Sequence, residues 1–207
     1  MRLTRLTLLV VVSLALALVP AASAQAGLLV KSVGPCESRT VEQPFLRWLD
    51  PANYVLVAGG TFESSSTGWT LSGKAARASG NETWYVHGAG EKWSLALPPG
   101  SSATSPSTCV GIEHPTLRLF ARNTGSLLST LKVEVRFEDS GGSVRTATLG
   151  LLVGTGSWQP TLPVPVVANL LALLPGERTA VAFRFTPQGK GGNWRIDDVY
   201  VDPWRGR

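Results

Sequence analysis

From Thr130 to Glu138 the chain reads TLKVEVRFE, and apolar and charged positions alternate without a break. Leu131, Val133, Val135 and Phe137 fall on one side; Lys132, Glu134, Arg136 and Glu138 fall on the other. A period of two is that of an extended strand with one face buried and one in water. Gly141-Gly142 then predicts a hairpin into SVRTATLGLLVG. TAVAFRFTP repeats the pattern with Val181, Phe183 and Phe185 inward, and TLRLFARN sets Leu117, Leu119 and Ala121 against Arg118, Phe120 and Arg122. YVLVAGG, GWTLSGKAARAS, ETWYVHGAG and KWSLALPPG read as short strands ended by glycine or by Pro-Gly. The one helical candidate is VVANLLALLPG, stopped by Pro175-Gly176; it reads equally as a loop plugging one end. Short strands at regular spacing with Gly/Pro turns predict an all-β, antiparallel two-sheet sandwich.

The first residues break this pattern. Arg2 and Arg5 precede an apolar run from Leu6 to Val19, then Pro20 and Ala22-Ser23-Ala24. A basic start, a short apolar stretch and small residues before a cut are the marks of an export signal. Residues 1–24 are therefore expected to be a signal peptide cleaved after Ala24, or after Ala26; an uncleaved membrane anchor is the alternative, for which the run is short. Residues 25–53 read as an irregular lead-in in which Phe45, Leu46, Trp48 and Leu49 form an apolar turn, and 54–207 as the sandwich domain. Export also changes the reading of the two cysteines. Cys36 and Cys109 are expected to pair in an oxidising compartment, closing a long loop worth roughly 4 kcal/mol; two buried thiols are the alternative.

Charge excludes more than it suggests. The net charge of +5 includes Arg2 and Arg5, and no Lys/Arg cluster of the kind that grips nucleic acid is present. Two histidines, His87 and His114, are too few for a His/Cys metal cluster once the cysteines pair. No G-x-S-x-G elbow is present, and Glu113-His114-Pro115 reads as a turn. Gly189–Asn193 is glycine-rich but joins two strands and opens no helix, so it is no phosphate loop.

One strand is anomalous. NWRIDDVYVDP places Asp197 and Asp198 side by side in an otherwise apolar run, although carboxylates are poor strand formers and costly to bury. Together with GGTFESSSTGWTLSG at Gly59–Gly73, this segment resembles carbohydrate-binding modules of families 4, 9 and 22. Those open on Gly-x-Phe-Glu with a later Gly-Trp, and close on Asp-Asp-Val and an apolar residue. The resemblance covers about Tyr54 to Pro203 and implies a galactose-binding-like jelly roll. The chain also resembles small exported actinobacterial proteins in VGIEHPTLRLFARN and FRFTPQGKGGNWRIDDVYVDP, which implies export and a stand-alone domain but no chemistry.

The resemblance further implies a structural calcium ion shared by Glu63 and by Asp197 or Asp198, completed by backbone carbonyls near Gly60 or Thr61. The alternative is an Asp pair hydrogen-bonded to backbone or to Arg195. Strand parity supplies a candidate ligand face: Tyr85 and His87 opposite Trp84 and Val86, with Arg118, Phe120 and Arg122 on the neighbouring strand. Exposed rings stack on sugars, and guanidinium forks bind hydroxyls or carboxylates. The same residues could instead be ordinary packing under a loop. The expected function is thus an exported, non-catalytic domain that binds a polysaccharide or cell-envelope glycan. The alternatives are a structural or adhesion domain of the envelope and a hydrolase with an unrecognised site.

Overall fold

The computed structural model describes residues 40–65, 67–111, 116–166 and 178–202. Their strands form two antiparallel sheets. The first holds β1 (Val55–Leu56), β3 (Ala76–Ser79), β4 (Trp93–Leu97), β7 (Thr116–Asn123), β10 (Gln159–Pro160), β11 (Val164–Pro165) and β13 (Trp194–Val201). The second holds β2 (Thr70–Ser72), β5 (Ser102–Thr104), β6 (Thr108–Gly111), β8 (Thr130–Glu138), β9 (Val144–Leu152) and β12 (Arg178–Gln188). Their orders are β10-β7-β13-β4-β3 and β2-β5-β12-β8-β9. The late strands β13 and β12 therefore lie inside their sheets. This is the antiparallel two-sheet sandwich that the alternation predicts, in the jelly-roll form that the resemblance implies.

Parity explains the core. Leu131, Val133 and Val135 of β8, Val181, Phe183 and Phe185 of β12, and Leu117 and Leu119 of β7 are buried between the sheets. Trp194 joins them, its indole N–H donating to Ser129 Oγ at 3.3 Å, and Trp69 stacks on Phe185 while donating to the Ala58 carbonyl at 3.0 Å. Buried indoles need such partners for their N–H groups.

A second apolar cluster lies on the outer side of the first sheet. Phe45, Tyr54, Phe120, Trp158 and Tyr200 are buried there, with Trp48, Trp84 and Val86 packed against them. The lead-in makes this cluster. Glu42 bridges Tyr54, a 3-10 turn spans Leu46–Trp48, and Phe45 stacks on Phe120 with ring centroids 5.5 Å apart. Only half of the expected apolar turn packs inward: Phe45 is fully buried, whereas Leu49 is 94% exposed. A left-handed φ of 60° at Leu49 ends the turn and swings that side chain outward.

ETWYVHGAG is not a strand. It is a loop folded around the Glu82 carboxylate, which accepts the amide protons of Trp84 and, at 2.7 Å, of Val86. The helical candidate from Val167, the N-terminal segment, Cys36, Glu113 and His114 lie outside the described residues. Cys109 stands on β6, and no cysteine among the described residues is a free thiol.

Candidate functional site

The Asp197-Asp198 pair sits on a β-bulge. β13 pairs with β7 from Trp194 opposite Asn123 to Asp197 opposite Phe120, and resumes at Tyr200 opposite Arg118. One extra residue is thereby inserted, and Asp198 absorbs it with φ 45°. A bulge of this kind re-aims a side chain where simple alternation would not. On its other flank β13 meets β4 only as far as Ile196 and meets β1 from Tyr200 onward. The aspartates thus occupy a fork between β4 and β1. Residues 57–60 close it: Val57 N–H donates to the Val199 carbonyl at 2.9 Å and Val199 N–H to the Gly60 carbonyl at 3.2 Å. A Cβ at Gly60 would stand 2.9 Å from two carbonyl oxygens, so only glycine fits.

The acids around this fork have different tasks. Asp197 accepts the Glu82 amide at 3.0 Å and the Asp198 amide at 3.0 Å. Glu63 accepts the amides of Lys92 and Trp93 at 2.8 and 2.7 Å through one oxygen. These carboxylates tie the 81–93 loop to the sheet. Both oxygens of Asp198 and both of Glu91 are buried with no hydrogen-bond partner. Burial, then the neighbouring Glu91 and Glu82 charges, pushes Asp198 up to about 8. Burial and the Asp198 charge push Asp197 up to about 10, and burial pushes Glu91 up to about 7 against the opposing pull of His87. Tyr200, whose hydroxyl lies 3.1 Å from Glu42 Oε2, is raised by burial and then by Asp198.

An orphaned buried carboxylate is costly unless a counter-charge meets it. Asp198 and Glu91 offer hard oxygen donors of the type calcium takes. Among the described residues no three His, Cys, Asp or Glu side chains are gathered as a metal-holding group, so carbonyls and water would have to complete the shell. Glu63 and Asp197, named as ligands from the sequence, already serve backbone amides. Glu82 and Glu91 were missed. Glu91 stands in GAGEKW, which has the look of a solvated turn, and only the folded loop carries it into the fork.

Of the five residues expected to share a ligand face, Arg118 and Phe120 are buried. Phe120 is fully buried under Phe45, Trp48 and Trp84, and presents no ring to solvent. Arg118 is buried as well: its guanidinium pairs with Asp50, donates to the Thr161 carbonyl at 2.9 Å and lies 4.1 Å from the Phe45 ring centre. Parity placed both on the outer side of the sheet correctly; the lead-in covers them there. Burial raises the Asp50 carboxyl, but the Tyr54 hydroxyl, the Ala52 amide and Arg118 outweigh it and hold the group below its ordinary value. Tyr85 remains 47% exposed, held at φ 52° between the two amides that Glu82 ties down. His87 is exposed beside it in sequence, 3.5 Å from Glu42. The Arg122 guanidinium lies 5.1 Å from the ring centre of Trp158, a member of the cluster that buries Phe120.

The outer face of the second sheet carries an open groove of about 310 Å³. Ala180 and Ala182 of β12 floor it, Arg136, Glu138 and Val144 flank it on one side, and Ser107 lies on the other. Small residues on a central strand between longer neighbours make the hollow. Farther along this face, Lys132 pairs with Glu134 at 2.8 Å and Arg184 reaches Ser102 at 3.4 Å.

No protein-family model matches the chain, and no curated protein matches it. Solved structures do share its fold. The family 22 carbohydrate-binding and GH10 modules of Clostridium thermocellum endo-1,4-β-D-xylanase 10B, complexed with xylohexaose, align over 70% of this chain and 28% of that one, with TM-score 0.51 and 15% identity. A xylan-binding domain of family 22 aligns over 74% of this chain and 96% of its own, with TM-score 0.47 and 18% identity. The family 22 xylan-binding domain of a Paenibacillus barcinonensis xylanase aligns over 70% and 94%, with TM-score 0.48 and 14% identity. The chain spans only 28% of the first of these structures. At such identities the likeness is one of fold.

Proposed function

We propose that this chain is an exported, non-catalytic domain that binds polysaccharide outside the cell. The observation that carries this reading is the groove on the second sheet, an uncapped hollow with an alanine floor and arginine, glutamate and serine at its sides. Its volume is at the lower end of small-ligand sites. Arginine donors and serine and glutamate oxygens are the groups that hydrogen-bond sugar hydroxyls. The jelly-roll likeness to a xylanase module solved with xylohexaose supports the same reading.

In this proposal Asp198 and Glu91 hold a calcium ion that supplies the missing counter-charge at the β4/β1 fork, stabilising the fold without chemistry on the ligand. Asp197, Glu82 and Glu63 keep the surrounding loop in place. A Cys36–Cys109 disulfide ties the lead-in to β6. Tyr85 and His87 present a second, smaller polar-aromatic patch.

Pull-down on insoluble polysaccharides and affinity electrophoresis on soluble ones test the reading. Ala180→Trp fills the groove, and binding is expected to fall at least tenfold with the melting temperature preserved. Failure to retain any polysaccharide, with binding to cell-wall protein instead, would establish the adhesion reading in its place.

A further inference from the structure

Outside the groove and the acid cluster, one arrangement is electrostatically unfavourable within the sheet. On the outer face of the first sheet, Arg195 of β13 stands directly opposite Arg122 of β7. Like charges at directly opposed cross-strand positions destabilise a sheet. Both side chains are half-buried, which sharpens the repulsion. Burial, then the Arg122 charge, lowers the Arg195 pKa, with Asp197 opposing.

Among the described residues no ion pair involves either arginine. Asp197, the nearest carboxyl along the strand, gives its oxygens to the Glu82 and Asp198 amides. Arg195 uses one Nη to reach the Ser79 carbonyl at 2.8 Å, and Arg122 Nε is buried with no partner. The Trp158 ring, 5.1 Å away, gives the Arg122 guanidinium an apolar partner. A guanidinium packed against a ring keeps its edge donors available.

The floor beside the pair is shallow. Arg195 is followed across the sheet by Ala96 of β4, and Ala96 by Ala76 of β3. The row Ala76, Ala96, Arg195, Arg122 thus sets two small residues beside the two arginine positions. A planar carboxylate has the geometry for guanidinium forks.

We infer that Arg122 and Arg195 form a carboxylate-binding site for a uronate residue of an acidic polysaccharide, on the sheet opposite the groove. The inference rests on the carbohydrate reading for the saccharide and on the arginine pair for the charge. The bound carboxylate supplies a counter-ion shared by the two arginines.

Titration calorimetry with a galacturonate hexamer, and with the same hexamer reduced at its carboxyls, tests it. The acidic oligomer is expected to bind at least tenfold tighter, with the advantage shrinking as salt rises. Arg122→Gln and Arg195→Gln should each remove that advantage while leaving the ligand-free melting temperature equal or higher, because repulsion is relieved. Arg122→Lys keeps the charge, loses the fork and should recover part of the preference only. Equal binding of both hexamers, or binding of neither, overturns this inference; the carbohydrate reading stands or falls separately, on retention of any polysaccharide in the pull-down. A preference that survives the double Gln variant overturns the site. So does a lower ligand-free melting temperature in either single variant, which would assign the pair an internal structural task.

Discussion

Replacing Asp198 with asparagine separates the charge of that side chain from its shape. Asparagine tolerates the left-handed φ of 45° at this position, so the bulge survives. In the metal-free protein Asp198 is raised from 3.8 to about 8. At pH 7 the unfolded chain carries this carboxyl ionised, whereas burial and neighbouring charge make the folded chain take up a proton there. At about 1.4 kcal/mol per pH unit between 3.8 and 7, the penalty is about 4 kcal/mol. Asparagine removes it but leaves a buried amide unpaired, which costs about 1–3 kcal/mol. The net expectation in chelator is a gain of about 1–3 kcal/mol. That corresponds to a rise in melting temperature of about 2–10 °C for a domain of this size. In millimolar calcium the order reverses: the wild type gains from the ion and the variant gains far less. Calorimetric melting at pH 7 in chelator and in calcium reads both. A variant that melts below the wild type in chelator, or an equal calcium shift in both proteins, would refute the reasoning.

The same cluster sets a pH dependence. Asp197, Asp198 and Glu91 have folded values of about 10, 8 and 7, all above their unfolded ones, so the folded chain binds more protons between about pH 4 and 8. Stability in chelator should therefore fall as pH rises from 5 to 8, whereas calcium, which takes ionised carboxylates, should flatten or invert the trend; a flat profile in chelator counts against the buried cluster. Glu82→Ala leaves the Trp84 and Val86 amides without their acceptor and should cost about 2–5 kcal/mol in urea unfolding, with the 81–93 loop becoming protease-sensitive; cleavage elsewhere would contradict its assigned task. Phe45→Ala should cost about 3–5 kcal/mol and uncover Phe120, seen as new binding of a hydrophobic dye; no loss would mean that the lead-in is not integral to the fold. Gly125→Ala drives a Cβ into the Gly191 carbonyl oxygen, and a melting temperature within 1 °C of the wild type, roughly, would contradict that close approach.

The sandwich was legible because its longest strands carry strict alternation. Each odd-numbered residue from Leu131 to Phe137 is buried. The candidate site was less legible, for reasons that particular residues show. Arg118 and Phe120 were placed on the right side of β7, but alternation says which side of a sheet a residue faces and not what lies upon that side. The covering residues, Phe45 and Trp48, come from a stretch with no period at all. Asp197 and Asp198 stood out as carboxylates in an apolar strand, but the bulge that aims them has no signature in the sequence apart from that oddity. Glu82 and Glu91 lie in a loop whose aromatic residues mimic a strand. Their burial depends on contacts with residues about a hundred positions away, as with Glu82 and Asp197. Arg122 and Arg195 illustrate the same limit: each looks like an ordinary outward charge until the register sets them opposite one another.

The strand orders bear on when this fold can exist at all. β12 and β13 come last of the thirteen strands among the described residues, yet each lies in the interior of its sheet, with β8 and β5 flanking one and β7 and β4 the other. A chain emerging from its amino end has outer strands and no centre to pair them with. Neither sheet can close until residues 178–201 have arrived, so nucleation requires contacts between distant parts of the sequence and slow, all-or-none folding is expected. A fragment ending before residue 178 should gain no partial jelly roll, only exposed strand edges prone to association. Such a chain is expected to stay unfolded until residues 178–201 are present, the state in which a polypeptide is most easily threaded through a narrow passage.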